Sequence, residues 1–368
     1  MEDVFEERGS AMKVVCTRKE LADGVQVVAH AVSERNPLMI LTHILMQADD
    51  RGLHLSASDL ELGISMTIPA DVAEPGSVTT PARLFSELVG SLPDGEVHIS
   101  ADRSHATRVF CPGSDYRIVG LPPEEYPSLP EVEVENSFKV PQVHLRNAIR
   151  QTSFAVSSED KGRPILTGVL IDFEGATATL VATDTTRLAL RSIPVTEGQG
   201  AMQAIVPVRA LNEVLRSLGD EAGDVEVRLS AKQAKFVTPR GVAVTTRLIE
   251  GQYPAYRRVV PQGGRIRLTL QTTAVLQAMR RASLVARNSA HRVDIRTFED
   301  KLVMSAVSST EGEAREEVEL IREGDDIEVG LHGRYMLDVL SAIDSPGFVI
   351  EFTEPLRPCV VRPKLEEE

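Results

Sequence analysis

The 368-residue chain predicts an α+β fold made of three tandem copies of one domain, each with two helices against about eight antiparallel strands. Three observations carry that expectation. A helix-like segment is written three times, as PARLFSELVGSL from Pro81, PVRALNEVLRSL from Pro207 and GRYMLDVLSAI from Gly333. Arg83, Arg209 and Arg334 align at spacings of 126 and 125 residues, with Glu87, Glu213 and Asp338 four positions further on. A period this long is that of a whole domain rather than of a solenoid repeat of a few tens of residues. Each copy also opens with a strand-like stretch that feeds a helix. Between the helices, polar and apolar residues alternate with the period of two expected of half-buried strands.

The opening strands are Met12 to Thr17, Phe138 to Pro141 and Ile266 to Leu270. Thr17 with Glu20 three positions on has the form of a capping box, which satisfies the orphan amides at a helix start. The helix that follows carries Leu21, Val25, Val28 and Ala29 at helical spacing, and 143–156 and 273–285 carry similar stripes. Loops at 33–37, 157–164 and 286–292 each contain an arginine, and the alternating segments 53–57, 178–182 and 302–306 come next. The triplicated helix then leads to closing strands such as 225–230 and 241–248. Copies one and two end on matching Pro-containing linkers, EYPSLP from Glu125 and QYPAYR from Gln252, expected to be extended. The expected boundaries are 12–132, 133–258 and 259–368, after a disordered extension at 1–11.

Length alone suggests two or three domains at about 150 residues each. No apolar run approaches the roughly 20 residues of a membrane-spanning helix, and the acidic N-terminus lacks the basic and apolar regions of a signal peptide. A cytoplasmic protein without membrane association is expected. Cys16, Cys111 and Cys359 are odd in number and far apart, which suggests neither a disulfide framework nor a zinc site. The eight histidines share no ligand spacing, so no metal and no cofactor is expected. There is no phosphate-binding glycine loop ending in Gly-Lys-Ser/Thr, no His-Glu-x-x-His and no Gly-x-Ser-x-Gly elbow. Asp184 beside Arg187 reads as a structural ion pair or turn cap, and no catalytic residue is assigned.

Charge is the most informative remaining feature. The chain has 40 basic and 54 acidic residues, net −14, which argues against gripping nucleic acid by bulk charge. The six helix-like segments invert that sign. They carry Arg18, Lys19, Arg83, Arg146, Arg150, Arg209, Arg216, Arg280, Arg281, Arg287 and Arg334 against Glu20, Asp23, Glu87, Glu213 and Asp338. A single arginine on a helix is as consistent with a solvated face as with a ligand. The inversion over six segments predicts one positive surface where helices gather.

From Met12 onward the chain resembles the bacterial DNA polymerase sliding clamps, the beta subunits of the replicative polymerase. The resemblance rests on the threefold repeat, Pro81-Ala-Arg83, Val181-Ala-Thr-Asp184 with Arg187-Leu-Ala189, the linker Tyr253 to Arg258, and Tyr335-Met-Leu-Asp-Val-Leu340. It implies three DNA-clamp domains per subunit in a head-to-tail homodimeric ring that encircles double-stranded DNA, reads no base sequence and tethers the polymerase. Arg35, Arg83, Arg146, Arg150, Lys161, Arg163, Arg209, Arg280, Arg287 and Arg292 would face the DNA. A pocket for short linear motifs of the replicative polymerase, the clamp loader and repair proteins would use Leu166, Thr183, Thr185, Thr186, Arg187, Leu188, Pro254, Arg258, Val259, Tyr335, Leu356 and Pro358. Tyr116, Leu284 and Val285 would lie at the dimer interface.

Two departures stand out. Thr185-Thr186 replaces the glycine-histidine usual in the family. The third copy ends without the last strand the family shows, unless 360–365 takes its place. A clamp paralogue with altered partners, or a repeat-built enzyme with a site between domains, are the alternatives. The enzyme would show acids and histidines converging in one copy only.

Overall fold

The computed structural model describes residues 12–33, 37–127, 132–158, 162–198, 200–261 and 263–364. The expected extension at 1–11, Ser128 to Pro130 of the first linker, and Leu365 lie outside them. In the first copy β1 (Met12–Thr17) leads into α1 (Arg18–Ala29), followed by β2 (His43–Asp49), β3 (Gly52–Ser58), β4 (Leu62–Ile68), β5 (Asp71–Glu74) and β6 (Gly76–Pro81). Helix α2 (Ala82–Ser91) then precedes β7 (Glu96–Ala101), β8 (Ala106–Cys111) and β9 (Ser114–Val119). The second copy repeats the plan with β10 (Asn136–Pro141), α3 (Gln142–Thr152), β11 (Gly168–Glu174), β12 (Thr177–Thr183), β13 (Leu188–Pro194), β14 (Ala201–Pro207), α4 (Val208–Ser217), β15 (Asp224–Leu229), β16 (Gln233–Val237) and β17 (Ala243–Arg247). The third has β18 (Ile266–Gln271), α5 (Thr272–Ala286), β19 (Arg292–Phe298), β20 (Lys301–Ser308), the long β21 (Gly312–Glu323), β22 (Glu328–His332), α6 (Gly333–Ala342), β23 (Gly347–Phe352) and β24 (Val360–Pro363).

Local chemistry accounts for the helix starts. The Glu20 amide donates to Thr17 Oγ1 at 3.2 Å, and the Thr17 hydroxyl donates to the Glu20 carboxylate at 2.7 Å. Helices α2 and α4 begin instead on a proline N-cap, Pro81 and Pro207, whose φ of −56° and −53° is preset for the turn. Buried faces follow the predicted stripes: Leu21, Val25 and Val28 on α1, and Phe85, Leu88 and Val89 on α2. Each such side chain contributes about 1.5–3 kcal/mol when fully removed from water. Gly24 lets α1 approach its sheet, because a Cβ there would stand 2.7 Å from Leu55 Cδ1 and 2.9 Å from Ile68 Cγ2.

The strands form four sheets, ordered β5-β1-β7-β8-β9, β10-β15-β16-β17-β4-β3-β2-β6, β13-β12-β11-β14 and β22-β19-β20-β21-β18-β23-β24. The eight-stranded sheet crosses from the second copy to the first, with Ala243 opposite Ser65 and Thr246 opposite Leu62. Strand β9 is a sheet edge. Strand β24 pairs with β23, Val360 opposite Glu351 and Pro363 opposite Phe348, as β8 pairs with β7 and β16 with β15. Val360–Pro363 therefore holds the place that β8 and β16 hold in the other two copies. Among the described residues the third copy has no counterpart of β9 or β17.

The linkers are not wholly extended, since Pro123–Glu125 and Tyr256–Arg258 each form a 3-10 turn. Their tyrosines are anchors. The Tyr126 hydroxyl accepts from the Ser58 amide at 3.1 Å and donates to His43 O at 3.3 Å, and the Tyr253 hydroxyl donates to Val181 O at 3.3 Å. Burial pushes both phenols up to about 12.

By internal packing the chain divides into two compact units. One holds the first copy and the start of the second through Ile149, with 157–180 and 191–251, and the other holds 150–156, 181–190 and everything from Gln252. Two pieces of the middle copy thus pack with the third.

Candidate nucleic-acid interface and partner site

The helices carry the cations that the sequence places there, and many are held by acids or carbonyls of their own chain. On α1, Arg18 donates to Leu92 O at the end of α2 and lies 3.6 Å from Asp94. On α3, Arg146 repeats this at the end of α4, donating to Leu218 O at 3.3 Å, to Gly219 O, and to Asp220 at 2.9 Å. A cation there meets the negative end of the helix dipole. Arg150, one turn further along α3, pairs with Asp344 beyond the end of α6.

Arg83 pairs with Glu87 one turn on, Arg209 with Asp59, and Arg292 with Asp294. Arg163, Arg280 and Arg287 are exposed. Arg35 and Lys161 lie outside the described residues. Held arginines are pre-oriented at little entropic cost, but their charge is partly answered. The helices are less positive than the count of arginines suggests.

The most constrained group in the second unit is Arg187. Its guanidinium donates to Asp184 at 3.0 Å, to Asp338 on α6 at 2.5 Å and to Phe154 O at 2.6 Å. It also lies 4.2 Å from the Tyr335 ring centroid and 5.4 Å from that of Phe154. The loop that presents it is built from its own side chains. Asp184 Oδ1 accepts from the amides of Thr186 and Arg187, and Thr183 Oγ1 accepts from the Thr185 amide while donating to Arg187 O. Asp184 and Arg187 are the ion pair and turn cap expected. Thr185 sits at φ +79°, a left-handed conformation uncommon for a β-branched residue.

Of the other residues that the sequence assigns to the partner site, Val259 is 63% exposed and Leu356 99% exposed, so neither is a core residue. Thr185, Thr186, Pro254, Arg258 and Pro358 are exposed, Leu188 and Tyr335 half-buried, and Thr183 buried. Leu166 belongs to the first unit and is fully packed, the environment of an ordinary core leucine. Tyr116 on edge strand β9 and Leu284 on α5 are exposed apolar side chains, while Val285 packs against the core of the third copy.

A feature that sequence spacing hid is a chain of hydrogen bonds on the first copy. His54 meets Asp49 at 2.7 Å through Nε2 and Thr67 at 2.6 Å through Nδ1. Arg51 donates to Asp49 and holds its carboxyl well below the usual carboxylate range. This is a set of the kind an enzyme would show in one copy only. However, one residue comes from each of three adjacent strands on a single sheet, and the array does not lie between copies. It reads as a cross-strand tie. The signal was the register that places His54 opposite Thr67. No group of three metal-ligating side chains occurs among the described residues, and no helix is long and apolar enough to cross a membrane.

Three tandem copies of a helix-on-sheet domain, with cationic helices in an acidic chain, define the DNA-clamp class. Comparison with known proteins makes the family specific: models of the N-terminal, central and C-terminal domains of the DNA polymerase III beta subunit match residues 12–130, 139–255 and 257–368. The chain belongs to the bacterial beta sliding clamp family. It is 32% identical over 366 residues to the beta sliding clamp of Halalkalibacterium halodurans, covering 96% of each chain. It superposes on the sliding clamp of Bacillus subtilis with a TM-score of 0.91 at 31% identity, covering 97% of each chain. A Pseudomonas aeruginosa sliding clamp bound to griselimycin gives a TM-score of 0.91 at 28% identity, again covering 97% of each.

Proposed function

We propose that two copies of this cytoplasmic, non-catalytic chain close head to tail around duplex DNA and tether the replicative polymerase, the clamp loader and repair proteins. The domains doing so would be 12–132, 133–258 and 259–368. The observation that carries this reading is the inverted charge of the helices. Within α1 to α6 the described residues include ten cations, Arg18, Lys19, Arg83, Arg146, Arg150, Arg209, Arg216, Arg280, Arg281 and Arg334, against five acids, Glu20, Asp23, Glu87, Glu213 and Asp338. Such a lining attracts phosphates without reading bases, since phosphate contacts position but do not specify. Arg83, Arg146, Arg150, Arg163, Arg209, Arg280, Arg287 and Arg292, with Arg35 and Lys161, would supply it. The exposed Tyr116 and Leu284, with Val285, would meet the second copy.

The polar hub of Arg187, with the exposed apolar Val259 and Leu356 and the half-buried Leu188 and Tyr335, fits capture of an extended peptide by apolar anchors inside a polar rim. Thr183, Thr185, Thr186, Pro254, Arg258 and Pro358 would complete it.

Topological retention is the decisive test. Loaded by the cognate clamp loader, the protein should co-elute with nicked circular plasmid and be released when that plasmid is linearised. Retention insensitive to linearisation would overturn the ring reading.

A further inference from the structure

Position 332 sets the third copy apart. The residue before the second helix is Pro81 in the first copy and Pro207 in the second, neither of which titrates or caps by its side chain. In the third it is His332, whose Nδ1 accepts from the Tyr335 amide at the start of α6. Its ring also stacks on that of Tyr335, centroids 4.0 Å apart and planes 20° apart. The imidazole therefore holds both the backbone and the ring of a residue that lies against Arg187.

We infer that His332 is a positioning residue for the partner site, fixing Tyr335 only while its imidazole is neutral, so that acid loosens the site. The inference rests on the peptide-capture reading above. An imidazole whose Nδ1 accepts must carry its proton on Nε2, and a second proton turns Nδ1 into a donor facing a donor. The cap is then lost. A positive charge at that place is also opposed by the positive end of the α6 dipole.

The groups around it add to the opposition. His291 on the turn before β19 has its ring centroid 5.1 Å away. Arg187 from the β12–β13 loop and Arg334 on α6 also bear on His332, and Arg292 faces it across the ladder. The acids on those elements, Asp184, Asp338 and Asp294, are engaged by Arg187 and Arg292. Burial first, then His291 and Arg187, lower the pKa of His332 below its ordinary value.

The backbone here has little slack. Ala290 and His291 are consecutive non-glycine residues at φ +53° and +55°. The Gly333 amide donates to His291 O at 2.7 Å, and a Cβ on Gly333 would stand 2.7 Å from Ser283 Oγ.

The sign follows from the lowered pKa. Above the ordinary histidine pKa of about 6.5 both the stacked and the released ring are neutral, and the stack is at full strength. As pH falls through that value the released ring protonates first, and the arrangement is progressively lost. The test uses the full chain and a fluorescein-labelled peptide copied from the clamp-binding segment of the cognate polymerase, titrated between about pH 7.5 and 5.5. Wild type should lose about fivefold or more in affinity across a histidine's range. H332N, which keeps a good N-cap acceptor, should lose less than about twofold.

Equal acid losses in both proteins, or none in wild type, would overturn the inference. Hydrogen exchange of residues 333–337 without peptide, corrected for intrinsic rates, separates this from the peptide reading. If no peptide binds at any pH but acid still lowers protection in wild type and not in H332N, the peptide reading falls and the proton-linked cap stands. Unchanged protection overturns the cap.

Discussion

Successive copies of the repeat meet twice, and the two meetings are made by the same loop used in different ways. At the first, Ser58 Oγ accepts from the Leu60 amide and Asp59 Oδ1 accepts from the amides of Glu61 and Leu62. At the second, Thr183 and Asp184 make the equivalent bonds to Thr185, Thr186 and Arg187. Leu60 and Thr185 share φ +79°. The loops diverge at one position. Leu62 is buried and starts β4, which continues the sheet of the next copy through β17. Arg187 stands in its place, and β13, which follows, is a sheet edge among the described residues. One meeting is made by a continuous ladder of backbone hydrogen bonds. The other is made by side chains: the Arg187 guanidinium on Asp338, with Arg150 on Asp344 and Gln151 donating to Ala342 O.

That difference predicts unequal sensitivity to losing an arginine. Arg187 is 19% exposed, with Asp184 at 14% and Asp338 at 32%. Arg187→Ala would leave Asp338 without its cation and Phe154 O without its donor. Breaking a buried pair costs about 3–5 kcal/mol, and partial exposure discounts this to about 2–3 kcal/mol. Arg209, which reaches Asp59 at the first meeting, is 53% exposed. Its loss leaves Asp59 capped by two amides and should cost no more than about 1 kcal/mol. Limited proteolysis and denaturant titration of both variants would decide. Equal destabilisation would show that the ladder is no substitute for the ion pair.

How much of this was legible in the sequence depends on range. The triplication, the alternating strands, the capping box at Thr17 and the Asp184–Arg187 pair all depend on neighbours within a turn or on a period, and a single sequence displays both. The link from Arg187 to Asp338 spans 151 residues, and the register of Ala243 on Ser65 joins two strand edges with no shared local pattern. The same limit applied to the cations. Counting arginines on helices showed that the helices themselves are cationic, but not that Arg146 would end among the last carbonyls of α4 or Arg150 on Asp344. For the partner site, Val259 and Leu356 were legible only as apolar residues, and their exposure is a property of the fold.

The linker tyrosines test what the two meetings share. Tyr126 takes the Ser58 amide and donates to His43 O at 3.3 Å, and Tyr253 takes the Thr183 amide and donates to Val181 O at 3.3 Å. A buried donor left without a partner costs about 1–3 kcal/mol, a lost neutral bond about 1 kcal/mol. Tyr126→Phe strands the Ser58 amide and should cost about 1–2 kcal/mol. Tyr253→Phe strands the Thr183 amide in the same way and should cost about as much, as read from the shift in denaturation midpoint at unchanged slope. A larger effect at Tyr253 would mean that the second meeting leans on its linker more than the hydrogen bonds indicate.

The smallest effect should come from the shared left-handed residue, and it should carry the opposite sign. Replacing Thr185 with glycine removes the strain of a β-branched side chain at positive φ, of order 1–3 kcal/mol. It adds back the greater chain entropy of glycine in the unfolded state, about 0.5–1 kcal/mol. Thr185→Gly should therefore stabilise by roughly 0.5–1 kcal/mol. Leu60→Gly should gain less, because leucine is not β-branched and tolerates this region better. Both variants keep the amide that donates to Thr183 Oγ1 or Ser58 Oγ, so the turn itself is not at stake. If Thr185→Gly instead lowers the denaturation midpoint, the threonine side chain makes a compensating contribution to the loop that its hydrogen bonds do not reveal, and the two loops differ at Thr185 as well as at Arg187.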